Sequence, residues 1–220
     1  MTTMEKPATV LEQISASLAE YKNMISMMGG EETFGLGQVA DMMSSYFEGA
    51  ARAKEKGTPL AWVNFGVISE LFWAMDIVPV IVDVVTGLVA PTPSVMRYID
   101  MAEEHIPNHI CSSNKALLGA MLAGEIAPPD VMVHPSQPCD SNMATYPVIA
   151  EYFGAPYFCI DVPYFRNERC TRYVAGELKR LVSFLEEKTG RKLDFDRLRQ
   201  AMEHSNLAHE YYLKISKLRE

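Results

Sequence analysis

Four short apolar runs, PLAWVNFGV (59–67), VPVIVDVV (78–85), DVMVHPS (130–136) and APYFCIDVPY (155–164), are spaced through the middle of this chain. Each is too short for a buried helix and too apolar for a strand with one wet face, so each reads as a strand buried on both sides. Between them lie stretches with helical spacing: SELFWAMD with Ser69 as its expected cap, TPSVMRYIDMAEEH with Thr92 as cap and Pro93 at the first helical position, NKALLGAMLAG, and DSNMATYPVIAEYFG. Short buried strands alternating with helices demand a mostly parallel sheet covered on both faces. The fold class expected is therefore α/β, a Rossmann-like domain over 58–165.

The flanks read differently. Residues 8–28 and 33–56 have helical periodicity, with Phe34, Val39, Met42, Met43, Tyr46, Phe47 and Ala50 as the expected inward face and MMGGEET as a break. Lys54 and Lys56 suit the end of the second helix, and Gly57 is expected to stop it. Met24, Met27, Met28, Met42 and Met43 are expected to pack between helices. Residues 1–57 thus form a helical lead-in. Beyond Arg166 two long helices follow, the second capped by Asp194, and the last stops at Glu220 without a C-cap glycine. The 166–220 extension is expected to lead to a second domain that this chain does not contain, or to a partner.

Charge narrows the function classes. The net charge is −8, yet from Arg166 onward there are 13 Lys and Arg against 9 Asp and Glu, so the body ahead of it is strongly acidic. That argues against a phosphate-tracking nucleic-acid protein. No run approaches a membrane span and the N-terminus lacks the apolar core of a signal peptide, so a cytoplasmic protein is expected. There is no GxGxxG after the first strand, no GxxxxGK[ST] and no GxSxG, which removes the common dinucleotide, ATP and hydrolase signatures.

What remains is thiol chemistry. The four cysteines form no CxxC, and in this context disulfides are not expected. In open α/β sheets ligands bind beyond the carboxyl ends of the strands. Cys139 in HPSQPCDSN stands there, ahead of the capping candidates Asp140, Ser141 and Asn142. Cys111 in HICSSN repeats the arrangement ahead of Ser112, Ser113 and Asn114. A thiol at the positive end of a helix favours the thiolate, the form that binds metal. The two could share one soft metal centre, or both could be small half-buried turn residues. Cys159 lies in an apolar run and reads as an inert core residue, and Cys170 opens a helix between Arg169 and Arg172. Glu70, beside Ser69, is placed to orient a substrate or move a proton, or simply to favour a helix dipole. A thiolate nucleophile at Cys139 would need a base, for which His134 and His109 are the candidates.

SELFWAMDIVPV, Cys111 ahead of a small-residue helix, the PCDSN turn, and EYFGAPYF before IDVPY, in that order over roughly residues 60–220, resemble the 2-hydroxyacyl-CoA dehydratase and benzoyl-CoA reductase family. The resemblance implies two Rossmann-like domains per subunit, a [4Fe-4S] cluster held by three cysteines, a heterodimeric core with a second subunit, and an ATP-dependent iron-sulfur activator. That activator passes a single low-potential electron, which in dehydratases makes a ketyl radical anion of an acyl-CoA substrate and in reductases enters an aromatic ring. By the same pattern Cys111 and Cys139 match two of the three cluster ligands, the third being expected outside this chain. Glu70 and Ser69 match the block near the substrate site. A relative without a cluster, acting as a scaffold that docks another subunit through its basic helices, is the alternative.

Overall fold

The computed structural model describes residues 10–28, 31–90, 92–126 and 128–218. Its elements run α1 (Val10–Met28), α2 (Glu31–Ala51), β1 (Leu60–Val63), α3 (Ser69–Ala74), β2 (Val78–Ile81), α4 (Val82–Val89), α5 (Val95–Glu103), α6 (Ser112–Leu122), β3 (Val131–Pro135), α7 (Asp140–Phe153), β4 (Tyr157–Ile160), α8 (Glu168–Thr189) and α9 (Phe195–Lys217). The four strands are all parallel in the order β2-β1-β3-β4. This is the α/β, Rossmann-like layout that alternating apolar runs require.

Strand alternation divides the core in two. Leu60, Trp62, Val80 and Met132 pack on one side with α4 to α7 and with Val10, Leu11, Ile14 and Phe47 of the first two helices. Ala61, Val63, Val131 and Val133 face the other side, against α3 and Leu181 and Leu185 of α8. The chain crosses the sheet after β2, so the strand order reverses between β1 and β3. Gly66 marks how tightly the loops meet there: a Cβ at Gly66 would lie 3.1 Å from Pro135 Cγ.

Several local readings change. VPVIVDVV is half strand and half helix, because β2 ends at Ile81 and VDVVTGLV coils into α4. At that boundary the Tyr46 hydroxyl donates to the Pro79 carbonyl at 2.5 Å and accepts from Ile81 N–H at 3.3 Å, closing the outer edge of β2. Asp83 is then drawn back toward β1 by Asn64 and Phe65 N–H. Ser69 is the first residue of α3 rather than its cap, and Thr92 bonds back to the Val89 carbonyl while α5 starts at Val95. The second helix ends at Ala51, with turns carrying the chain to Gly57 at φ +66.

On the flanking helices Val39, Met42, Met24 and Met27 face outward, whereas Phe47 and Ala50 are buried. The Met28 and Phe34 side chains and the Gly29-Gly30 break lie outside the described residues. Asp194 caps α9 as expected, accepting from the N–H groups of Asp196 and Arg197. Asp76, at φ 55, holds Arg191 at 3.0 Å and Arg197 at 3.9 Å, tying the start of α9 to the end of α3. Among the described residues no helix is long and apolar enough to cross a membrane.

Gly119 is where α6 meets α5: a Cβ there would come within 1.9 Å of the Tyr98 carbonyl oxygen, a clash with backbone. Gly119→Ala should therefore lower unfolding stability by at least about 2 kcal/mol, since overpacking against backbone cannot relax by side-chain rotation. Chemical denaturation measures it, and a loss under about 0.5 kcal/mol would contradict this packing.

Candidate functional site

Both singled-out cysteines stand at helix entrances on the carboxyl edge of the sheet. Cys139 is the N-cap residue of α7, which follows β3 directly, and Cys111 is the N-cap residue of α6. Because α6 runs back to feed β3 at its amino end, its own N-terminus lies on the carboxyl side, as does that of α7. The cysteines themselves occupy the cap positions; Ser112 and Asp140, read as caps, are the first helical residues. Cys111 is exposed and Cys139 half-buried.

A hydrogen-bonded layer joins the two entrances. Asn114 and Asn142 each lie three residues after a cysteine, in CSSN and CDSN, and both are buried. Asn114 Nδ2 donates to Asn142 Oδ1 at 2.9 Å and reaches Thr145 Oγ1 at 3.5 Å. Above that bond, the Cys111 N–H donates to Ser141 Oγ at 3.0 Å. The loop leading to Cys111 is held from below by Lys115, whose Nζ contacts Glu103 Oε1 at 2.5 Å and the Asn108 carbonyl at 2.9 Å. The two thiol-bearing turns are thus linked twice, by backbone to side chain and by amide to amide.

Polar residues continue inward from these turns. Thr86 and Ser113 hydroxyls are 2.5 Å apart, and Asn64, fully buried, gives its amide to Asp83 at 3.0 Å and accepts from Gly66 N–H at 3.0 Å. Burial raises the Asp83 carboxyl above its usual range, and bonds from Phe65 N–H and Asn64 partly oppose this. Tyr146 completes the layer. Burial, with nearby charge on Asp83 and Cys139, pushes its phenol well above its ordinary value. Asn64, Asp83 and Tyr146 were not singled out by sequence, and Asn114 and Asn142 were read only as capping candidates, whereas both lie inside their helices and are buried. The signal present was the repeated C-x-S-N, in which an asparagine takes a helix position that faces the core.

The other candidates are placed elsewhere. Glu70 lines a mostly apolar cavity of about 440 Å³ with Leu71, Leu178, Val182 and Phe195, between α3, α8 and α9. Ser69 is half-buried beside it. A larger cavity, about 850 Å³, runs along the carboxyl edge from Gln137 past Val162, Phe165, Arg166 and Cys170. Leu178 borders both cavities, so Glu70 and Gln137, two residues before Cys139, line adjoining spaces rather than one. Cys159 is not a core residue: it is half-buried on edge strand β4, with its sulfur 3.7 Å from Met143 Sδ. Burial raises its thiol, with bonding to Tyr157 opposing.

His134 is unavailable as a base for Cys139. Fully buried, it joins Tyr157 Oη at 2.5 Å and the Pro135 carbonyl at 2.9 Å, and burial lowers its pKa, favouring the neutral ring. Among the described residues no group of three or more His, Cys, Asp or Glu side chains is placed to hold a metal ion.

A family model described as 2-hydroxyglutaryl-CoA dehydratase, D-component, matches residues 65–220, and the chain belongs to that family. The chain is also similar to the alpha subunit of (R)-2-hydroxyglutaryl-CoA dehydratase from Acidaminococcus fermentans, 30% identical over 91 residues. That match covers 40% of this chain and 19% of the relative's length.

Dibromobimane, which fluoresces only on bridging two thiols, should crosslink Cys111 to Cys139 in the reduced protein. Asn114→Leu, which removes the amide link while keeping bulk, should reduce the yield several-fold. Peptide mapping that found no Cys111–Cys139 bridge would refute the convergence of the two turns.

Proposed function

We propose that this chain contributes the Cys111–Cys139 edge of a [4Fe-4S] site in a 2-hydroxyacyl-CoA dehydratase acting on an acyl-CoA thioester. Family membership supports the reaction class. The observation that carries the site is the pairing of two N-cap cysteines through the Asn114–Asn142 and Cys111–Ser141 hydrogen bonds. An orphaned buried hydroxyl on Tyr146, in the same polar layer, fits a site whose bonding is completed by a bound group.

Cys111 and Cys139 would hold two corners of the cluster, and a second domain or second subunit would supply the remaining thiolate. Bound there, the cluster supplies one-electron chemistry at low potential, fed by an ATP-dependent iron-sulfur activator. The chain's own residues do the rest. Each cysteine is the N-cap residue of its helix, so both sulfurs stand at helix entrances on one edge of the sheet. The half-burial of Cys139 limits water at the sulfur, and Lys115 with Glu103 fixes the loop from which Cys111 projects.

Substrate binding is assigned to the adjoining cavities. The larger offers Val162, Phe165 and Val174 as apolar walls and Arg166 as a cation for the anionic end of a CoA thioester. Glu70, with Ser69, stands at the smaller, where a carboxylate against apolar walls can orient a hydroxyacyl group or accept a proton from it. Dehydration is favoured over ring reduction because the matched family and relative are both dehydratase components.

Anaerobic reconstitution with iron and sulfide, on the chain joined to its natural partner, tests this reading. Iron, labile sulfide and cluster absorbance should appear in the complex, and Cys111→Ser or Cys139→Ser should each remove most of it. A complex that binds no iron, or binds it equally without both thiols, would favour a scaffold role.

A further inference from the structure

The segment DVPYFRNERCTR (161–172) leads from β4 into α8 and borders the larger cavity. Its start is fixed by a bonded cluster. Asp161 N–H donates to Glu177 Oε2 at 3.3 Å, and Glu177, buried on α8, accepts from Arg180 at 2.6 Å. The Asp161 carboxylate accepts from Tyr173 Oη at 2.7 Å and from Ser136 Oγ at 3.2 Å, while Val162 N–H donates to Ser136 Oγ at 2.8 Å. Asn167 holds the far end, capping α8 by accepting from Cys170 N–H at 3.0 Å. Pro163 fixes the backbone φ between the two anchors.

Between those anchors the chain holds two aromatic rings out in solvent. Tyr164 is 83% exposed and Phe165 75%, with the ring centroids 5.9 Å apart and the planes at 82°. Both side chains line the larger cavity. Large apolar groups kept exposed on an anchored segment mark a binding surface. Rings at right angles offer one face and one edge, which suits a flat heteroaromatic ring. Charge specifies what that ring carries. Residues 166–172 hold three arginines and one acid, Glu168, which stands 3.7 Å from Arg172 and leaves Arg166 and Arg169 for an anion. A base that carries phosphates meets both conditions.

We infer that Tyr164 and Phe165 stack the adenine of CoA and that Arg166 and Arg169 take its phosphates, placing the nucleotide end of the thioester at the mouth of the larger cavity. The inference rests on the assignment of that cavity to a CoA thioester. It also orients the substrate. Leu178 borders both cavities, so the pantetheine arm runs inward from the aromatic pair and the acyl group lies toward Glu70.

Calorimetric titration of the complex with the natural partner, using CoA, pantetheine and ADP in turn, tests this. CoA should bind several-fold tighter than either fragment. Tyr164→Ala and Phe165→Ala, at exposed positions, should each weaken CoA by about five- to a hundredfold, the worth of one stacked base. Pantetheine binding should stay unchanged in both, which a general loss of structure would not allow. Tyr164→Phe keeps the ring and should keep the affinity, whereas Arg166→Gln should weaken CoA and reduce its dependence on salt. Tyr211→Ala, which removes an exposed ring on α9, should have no effect. CoA bound equally by the wild type and both alanine variants overturns the aromatic subsite and leaves the CoA cavity standing. ADP bound as tightly as CoA overturns it in favour of a free nucleotide, and loss of complex formation in the alanine variants overturns it in favour of a subunit contact. A complex that binds neither CoA nor an acyl-CoA overturns the substrate reading itself.

Discussion

The bond between the Asn114 and Asn142 side chains, 2.9 Å long and shielded from water, is the constraint on which the site depends. Parallel strands deliver helices to the same edge of a sheet, but they do not fix how two helix entrances face each other. Here an amide at the same position in each helix does so, three residues past each cysteine. Breaking the pair would strand a buried polar group, at a cost of about 1–3 kcal/mol, so the two helices are held in one register. The second tie, from Cys111 N–H to Ser141 Oγ, carries that register out to the thiol-bearing turns themselves.

Polar residues at the center of an α/β layer are unfavourable unless each finds a partner. Among the described residues most of them lie where α4, α6 and α7 meet the carboxyl ends of β1 and β3, with Ser15 on α1 and Glu177 on α8 buried apart from them. The arrangement gives up hydrophobic burial at one edge and gains a fixed geometry there.

Much of the fold was legible in the sequence because buried parallel strands leave continuous apolar runs. The exceptions are instructive. VDVV looks like strand by composition, but Tyr46 closes the edge of β2 and Asp83 is needed back at Asn64, so the chain coils. Met24, Met27, Val39 and Met42 have helical spacing but face outward, since periodicity marks a face without saying what covers it. Cys159 sits in an apolar run yet is half-buried, because β4 is an edge strand. Of the site, the cysteines were visible through their turn chemistry. The asparagines were read as caps, and their pairing was not legible, because a polar residue near a helix start gives no sign of its partner 28 residues away.

In the proposed arrangement α6 and α7 present Cys111 and Cys139 to one shared metal centre. Diffraction from anaerobically prepared crystals of the intact complex, measured across the iron absorption edge, tests it most directly. An anomalous iron peak within bonding distance of both Cys111 Sγ and Cys139 Sγ is expected. Iron bound elsewhere, or held by only one of these sulfurs, would contradict it.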